Sequence, residues 1–185
     1  MMLMRKTFPQ KNGQRNVLHK KNGEYVGSTA PYGYCVEKIN GIYKLMVEPE
    51  AAKIVRRIFE EYASGDGIQG IIDRLFEDRV HRISDYNQYH HVYCQDGENL
   101  HQWGNSSIRA VLNRNNYYGD LVQRKYESRF QRGEKWCDIL DESQWIITPN
   151  AHEPIISREL FEKAQVRLKS STTESNKNYS RMGRG

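Results

Sequence analysis

The apolar positions change their spacing along the chain, and each change marks an element. Residues 1–24 show no hydrophobic period and read as an extended arm. From Tyr32 to Val47 the apolar residues Tyr34, Val36, Ile42, Leu45 and Val47 flank Asn40-Gly41. Asn-Gly is the preferred two-residue hairpin turn because both central residues need positive φ, so this stretch predicts a β-hairpin. The spacing then becomes helical. Ala51, Ile54, Val55, Ile58, Phe59 and Tyr62 form one stripe, with Pro49 suited to the first helical position and Gly65 to the end. A second stripe follows Gly67: Ile68, Ile71, Ile72, Leu75 and Phe76, ending near Asp78.

Residues 79–103 break the rhythm. They are polar and rich in Tyr and His, and read as a long loop or a small hairpin, with Asp96-Gly97 as a turn. A short third helix is expected to start with Asn105 or Ser106 as its cap, to bury Ile108, Val111 and Leu112, and to stop at Asn115-Asn116. Tyr118 to Tyr126 and Trp145 to Thr148 read as strands. A basic, aromatic loop with Arg129, Arg132, Lys135 and Trp136 lies between them. A last helix is capped by Ser157 and buries Leu160, Phe161, Ala164 and Leu168. From Ser170 the composition turns to Ser, Thr, Asn and Lys, which reads as a linker. The expected fold class is α+β: a mainly helical core with a helix-turn-helix-like element, a hairpin before it and a small antiparallel sheet after it.

Charge sharpens this picture through its distribution rather than its sum. The 185 residues carry a formal net charge of +5 and a pI near 9.0, a small excess for the length. Residues 1–23 hold six bases and no acid, and residues 163–185 hold six bases and one acid. The middle holds 16 bases against 22 acids, yet within it residues 104–135 are net +4. Two basic tails thus flank an acidic body with one basic segment. The mean hydropathy is −0.85, and no apolar run approaches the roughly 18 residues of a membrane span. The start, Met1 to Lys6, is too short for a signal peptide, so the cytoplasm is the expected compartment. Cys35, Cys94 and Cys137 are odd in number and far apart, and read as reduced thiols.

Chemistry-bearing motifs are few. The sequence has no GxSxG, P-loop, HExxH or Rossmann glycine pattern, and Glu60-Glu61 and Glu77-Asp78 read as solvated surface. His81, His90, His91, Cys94 and His101 crowd the 79–103 segment, and His91 with Cys94 has workable ligand spacing. No paired CxxC accompanies them, so the expectation is a solvated loop, with no metal and no cofactor. The second and third helices carry more. An amphipathic helix followed by a short helix with a polar outer face is how a helix-turn-helix reads. Ser106, Ser107, Arg109, Ala110, Asn113 and Arg114 would face outward. Arg can clamp guanine, Asn adenine, and Ala can meet a thymine methyl. An ordinary polar surface helix fits the spacing equally well, and the connection of about 26 residues far exceeds the 3–4 residues of the standard turn. The basic loop around 124–136 reads either as a phosphate contact or as a solvated hairpin tip.

Five segments in order resemble the recombinase domain of large serine recombinases, the integrases and resolvases of phages and conjugative transposons. They are Ala30-Pro31-Tyr32-Gly33-Tyr34; Val47 to Ala52 running into Ile54 to Phe59, Tyr62 and Gly65; Ile68 to Leu75; Trp103, Ile108, Val111 to Asn115 and Tyr118-Gly119; and His152 to Ser157 with Leu160-Phe161 and Gln165. The long 79–103 insert departs from many members. The resemblance implies a catalytic domain with a nucleophilic serine before this region and a zinc ribbon after it. It divides the chain into a basic connector (1–24), a DNA-binding domain (25–169) and a linker (170–185). It implies no catalytic residue here, and binding to duplex DNA at an attachment half-site. Ser106, Ser107, Arg109, Asn113 and Arg114 would read the major groove. Arg124, Lys125, Arg129 and Arg132 would contact the backbone, and Arg5, Lys6, Lys20 and Lys21 would form an arm along the DNA. Other recombinase subunits would be met through the further domains, and no membrane is involved. A protein-interaction module or a free-standing regulator of transcription are the rival readings.

Overall fold

The computed structural model describes residues 23–27, 29–128 and 137–182. The chain forms two compact units: residues 1–48 with 115–155, and residues 49–114 with 156–185. The class is α+β, as expected, with a hairpin before the helices and small antiparallel sheets after them.

In the first unit, β1 (Tyr34–Ile39) and β2 (Ile42–Val47) pair antiparallel with Ile39 opposite Ile42. Asn40 and Gly41 both take positive φ, 50° and 84°, the geometry an Asn-Gly hairpin turn requires. The chain returns to this unit as a turn of 3-10 helix (Asn115–Tyr118). The single strand expected over Tyr118–Tyr126 is split. β3 (Leu121–Gln123) pairs with β6 (Ile146–Thr148), while β4 (Tyr126–Ser128) pairs with β5 (Cys137–Ile139), a strand the sequence did not signal. The break falls at Arg124, whose φ of 59° cannot continue an extended strand.

Aromatic rings hold this unit together. Tyr34 is fully buried, stacks on Tyr117 with centroids 6.1 Å apart, and meets His152 edge-on at 4.9 Å. Its hydroxyl donates to the Glu153 carbonyl at 2.8 Å, with the Asn116 carbonyl at 3.1 Å. Burial pushes the Tyr34 phenol far above its ordinary value and the His152 imidazole below its own. Tyr117 donates to the Tyr32 carbonyl, and His152 Nε2 to that of Asn116. Gly119 has φ 96°, and a Cβ there would sit 3.1 Å from the His152 carbonyl oxygen. Only glycine lets the two segments approach this closely.

The second unit is helical. α1 (Pro49–Ser64) buries Ala51, Ala52, Ile54, Val55, Ile58, Phe59 and Tyr62. α2 (Ile68–Glu77) buries Ile68, Ile71, Ile72 and Leu75. Phe76, expected in that stripe, is instead exposed, one position past the inward face. Arg57 and Arg74 lock the two helices through Glu61, with contacts of 2.6 and 2.8 Å, while Arg57 also reaches Asp78 and Arg74 reaches Asp66. Burial alone would raise the Glu61 carboxyl, but the guanidinium groups of Arg74 and Arg57 outweigh it and hold the group below its usual range.

The 79–103 segment is neither a bare loop nor a full hairpin. It carries a short helix, α3 (Ile83–Tyr89), and one isolated bridge between Val80 and Tyr93. Several of its polar groups pair with one another. Asp85 is buried and accepts from Arg82 at 3.1 Å and from His101 at 2.9 Å. Tyr86, Val92 and Trp103 supply apolar burial. α4 (Asn105–Leu112) follows, then α5 (Arg158–Met182), on which the Ser157 hydroxyl accepts from Leu160 N–H as expected of a cap. α5 buries Phe161, Ala164 and Leu168, with Leu160 half-buried. The helix runs on to Met182, past Ser170, where the composition turns polar. No Gly or Pro interrupts it, and propagation adds one hydrogen bond per residue once a helix has started.

Two tests follow from this packing. Ile108→Ala empties a fully buried site and should lower the unfolding free energy by about 2–5 kcal/mol in urea titration, whereas Ala110→Ser on the exposed face should change it by less than about 0.5 kcal/mol. Glu61 ionises more readily folded than unfolded, so its contribution is fully present above its ordinary value of 4.5. It is lost as pH falls through the lower folded value. The melting temperature should therefore drop on acidification through that window, and less steeply in Glu61→Gln.

Candidate nucleic-acid interface

α4 is short, and its own hydrogen bonds would not sustain it in water. Its position comes from its neighbours. Ile108, Val111 and Leu112 are buried, and the helix packs on α1, α2 and α5. Its last carbonyls find partners, as the ends of a helix must. Gln165 Nε2 on α5 donates to the Leu112 carbonyl at 2.6 Å, and Asn113 Nδ2 donates to that of Arg109 at 2.9 Å. The cap at the start is Gly104 rather than Asn105 or Ser106, with no side-chain hydrogen bond. Asn105 sits one position inside, where its Oδ1 accepts from Arg109 Nε at 2.9 Å.

The face opposite the buried stripe is polar and continuous. Ser106, Ala110 and Asn113 are exposed and Arg109 is half-buried, at the spacing that places residues on one helical ridge. Ser107 lies half-buried to one side, and Arg114 is exposed just past the helix end. The fold thus gathers all five helix residues proposed from sequence on or beside one outward surface. Asn105, which the sequence reading treated only as a cap, belongs with them because it aims Arg109 along the ridge. Its signal was the (i, i+4) spacing to Arg109. The ridge offers guanidinium, amide and hydroxyl groups with no carboxylate among them.

Arg124 and Lys125 belong to the other unit. Lys125 Nζ lies 4.6 Å from the Trp145 ring centroid and 3.3 Å from Asn115 Oδ1. Arg124 is half-buried in the left-handed conformation that divides β3 from β4. Arg129, Arg132, Arg5, Lys6, Lys20 and Lys21 lie outside the described residues.

The 79–103 segment adds Glu98 to the His and Cys residues that the sequence reading grouped. His81 Nε2 lies 3.1 Å from one Glu98 oxygen and His91 Nε2 lies 2.9 Å from the other. Cys94 is beside them, and one donor atom from each of His81, Cys94 and Glu98 falls within 4.8 Å of the others. Burial would push the Glu98 carboxyl up, but the Gln95 N–H and the two imidazoles hold it below its ordinary value. Glu98 was missed because nothing local marks it. Among the described residues no helix is long and apolar enough to cross a membrane.

A family model described as Recombinase matches residues 49–171. A solved structure described as the sequence requirements of the Listeria innocua prophage attP site is similar at 19% identity and a TM-score of 0.50, over 84% of this chain and 50% of that one. Another, described as the crystal structure of a LSR-DNA complex, is similar at 19% identity and a TM-score of 0.49, over 84% of this chain and 39% of that one. The chain thus spans half or less of the length of these two structures, and the likeness to the first speaks to the fold alone.

The ridge has a consequence for stability. Arg109→Ala and Arg114→Ala remove no buried group, so each should leave the urea midpoint within about 0.5 kcal/mol of the parent. A larger loss from either would give that residue a structural role.

Proposed function

Because the chain belongs to the Recombinase family, we propose that it binds duplex DNA at the attachment half-site of a serine recombinase from a bacterial or phage mobile element. The observation that carries this reading is the carboxylate-free ridge of α4, held outward by a buried apolar face on the opposite side. An α-helix fits the major groove, where each base pair presents a distinct set of donors and acceptors. In this reading α2 and α4 act as a helix-turn-helix whose turn has been replaced by the 79–103 segment. Arg109 and Arg114 address guanine, Asn113 addresses adenine, and Ser106 and Ser107 contact base edges or phosphate. The uncapped start of α4 favours a phosphate as well.

Arg124, Lys125, Arg129 and Arg132 contact the DNA backbone, and Arg5, Lys6, Lys20 and Lys21 follow it as a basic arm. Residues 25–169 are the binding domain, 1–24 the connector and 170–185 the lead toward a further domain. Strand cleavage belongs to a serine catalytic domain that this binding holds in register, and subunits associate through such further domains. The protein acts in the cytoplasm. The neighbour concerned with a prophage attP site agrees with this reading.

Selection from a randomised duplex library, followed by fluorescence anisotropy on selected and scrambled duplexes at two salt concentrations, tests it. Binding should weaken with salt, with a log–log slope of about 0.9 per phosphate contact. Arg109→Ala should cost about 1–3 kcal/mol on the selected duplex and relax preference at one base pair, while Lys125→Ala should weaken both duplexes alike. Equal affinity for selected and scrambled DNA removes the sequence-reading claim. Salt-independent or absent binding to both removes the DNA claim.

A further inference from the structure

The segment between α2 and α4 carries four groups whose chemistry the DNA-binding reading does not use. The geometry points to a structural zinc site formed by His81, His91, Cys94 and Glu98.

The backbone sets the site. His81 N–H donates to the Val92 carbonyl and Cys94 N–H to the Arg79 carbonyl, both at 2.8 Å, on either side of the Val80–Tyr93 bridge. This pairing brings His81 and Cys94 to one point, where a donor atom of each lies within 4.8 Å of one on Glu98, and His91 lies beside them on the second Glu98 oxygen. The turn after Asp96-Gly97 then brings Glu98 back to it, where Gln95 N–H holds one carboxylate oxygen at 2.8 Å. The His81 and His91 rings are 5.3 Å apart, and Tyr89 stacks on His81 at 5.0 Å.

The hydrogen bonds around His91 are those of a metal ligand. Its Nδ1 lies 2.9 Å from the Tyr93 carbonyl oxygen, which can only accept, so Nδ1 carries a proton. Its Nε2 lies 2.9 Å from Glu98 Oε1, a hydrogen bond that a metal ion bound at Nε2 would replace while the Nδ1 contact is kept. A histidine that donates Nδ1–H to a backbone carbonyl while Nε2 points inward is the arrangement that orients imidazole for a metal. Burial adds to this. His81 is fully buried, its Nδ1 has no hydrogen-bond partner, and Cys94 is only 7% exposed.

The donor set selects the ion. Two imidazole nitrogens, one thiolate and one carboxylate suit tetrahedral Zn²⁺, whereas Mg²⁺ and Ca²⁺ take oxygen ligands. Thiolate and carboxylate together neutralise the divalent charge, so the buried site closes without net charge. Four protein ligands leave no open position, which marks a structural and not a catalytic centre. The ion would staple the two ends of residues 81–98 and stiffen the connection that leads to α4. Without an ion, the same groups form a hydrogen-bonded His–Glu–His cluster.

The test uses the full chain, stripped with a chelator and titrated with Co²⁺ and Zn²⁺. One equivalent of Co²⁺ should give the intense visible bands of tetrahedral cobalt and a sulfur-to-cobalt charge-transfer band, and Zn²⁺ should displace it. Cys94→Ser should abolish the charge-transfer band, while Cys35→Ser and Cys137→Ser keep it. Glu98→Gln, at the half-exposed rim, should keep the circular dichroism of the parent and weaken zinc about tenfold or more. Weak octahedral cobalt bands, a sulfur band that survives Cys94→Ser, or unchanged zinc affinity in folded Glu98→Gln would each overturn the site.

Discussion

The helical unit depends on one helix finishing the others. α1 and α4 end in carbonyl groups that no helical turn can satisfy, and burying such groups unpaired costs about 1–3 kcal/mol each. α5 supplies the donors. Arg167 lies over the Tyr62 ring, 4.5 Å from its centroid, and its guanidinium donates to the carbonyls of Tyr62, Gly65 and Asp66 at the end of α1. Two residues earlier on the helix, Gln165 does the same for Leu112 at the end of α4. The apolar side of α5 supplies Phe161, Ala164 and Leu168, and the Phe161 ring lies 6.0 Å from that of Phe59. The chain must therefore pass through all of residues 49–114 and the whole of the other unit before the helix that completes α1 and α4 is made. The outward aim of the α4 ridge rests on that late contact, because α4 is too short to hold its own direction.

Much of this was legible from spacing. The stripes at Ala51–Tyr62 and Ile68–Leu75 are buried, and the Asn40-Gly41 turn forms with both residues at positive φ. These signals are local: a helix face and a two-residue turn are written within a few residues of themselves. Several of the family-like segments turn out to hold the fold together. Tyr34, Gly119 and the His152–Glu153 carbonyls meet at one point in the first unit, although they lie up to 119 positions apart. Their pattern was visible, but their meeting was not, since no periodicity relates residues so distant.

What spacing missed was non-local or irregular. The strand over 118–126 broke because Arg124 adopts a left-handed backbone that composition does not announce. α5 outran its polar tail because the absence of Gly and Pro mattered more than weak helix propensity. The 79–103 segment looked solvated, yet Asp85 pairs with His101 and Glu98 with His81 and His91. For the ridge, Ser106, Asn113 and Arg114 are exposed and Ser107 and Arg109 half-buried, and the role of Asn105 in aiming Arg109 needed coordinates.

The central question is whether α4 enters the major groove. Methylation interference on a selected duplex reads this directly, because guanine N7 lies in the major groove and adenine N3 in the minor groove. The account predicts that N7 methylation at one or two guanines blocks binding by the parent chain, and that Arg109→Ala no longer senses one of them. Interference confined to adenine N3, or a guanine pattern identical in Arg109→Ala and Arg114→Ala, would contradict it.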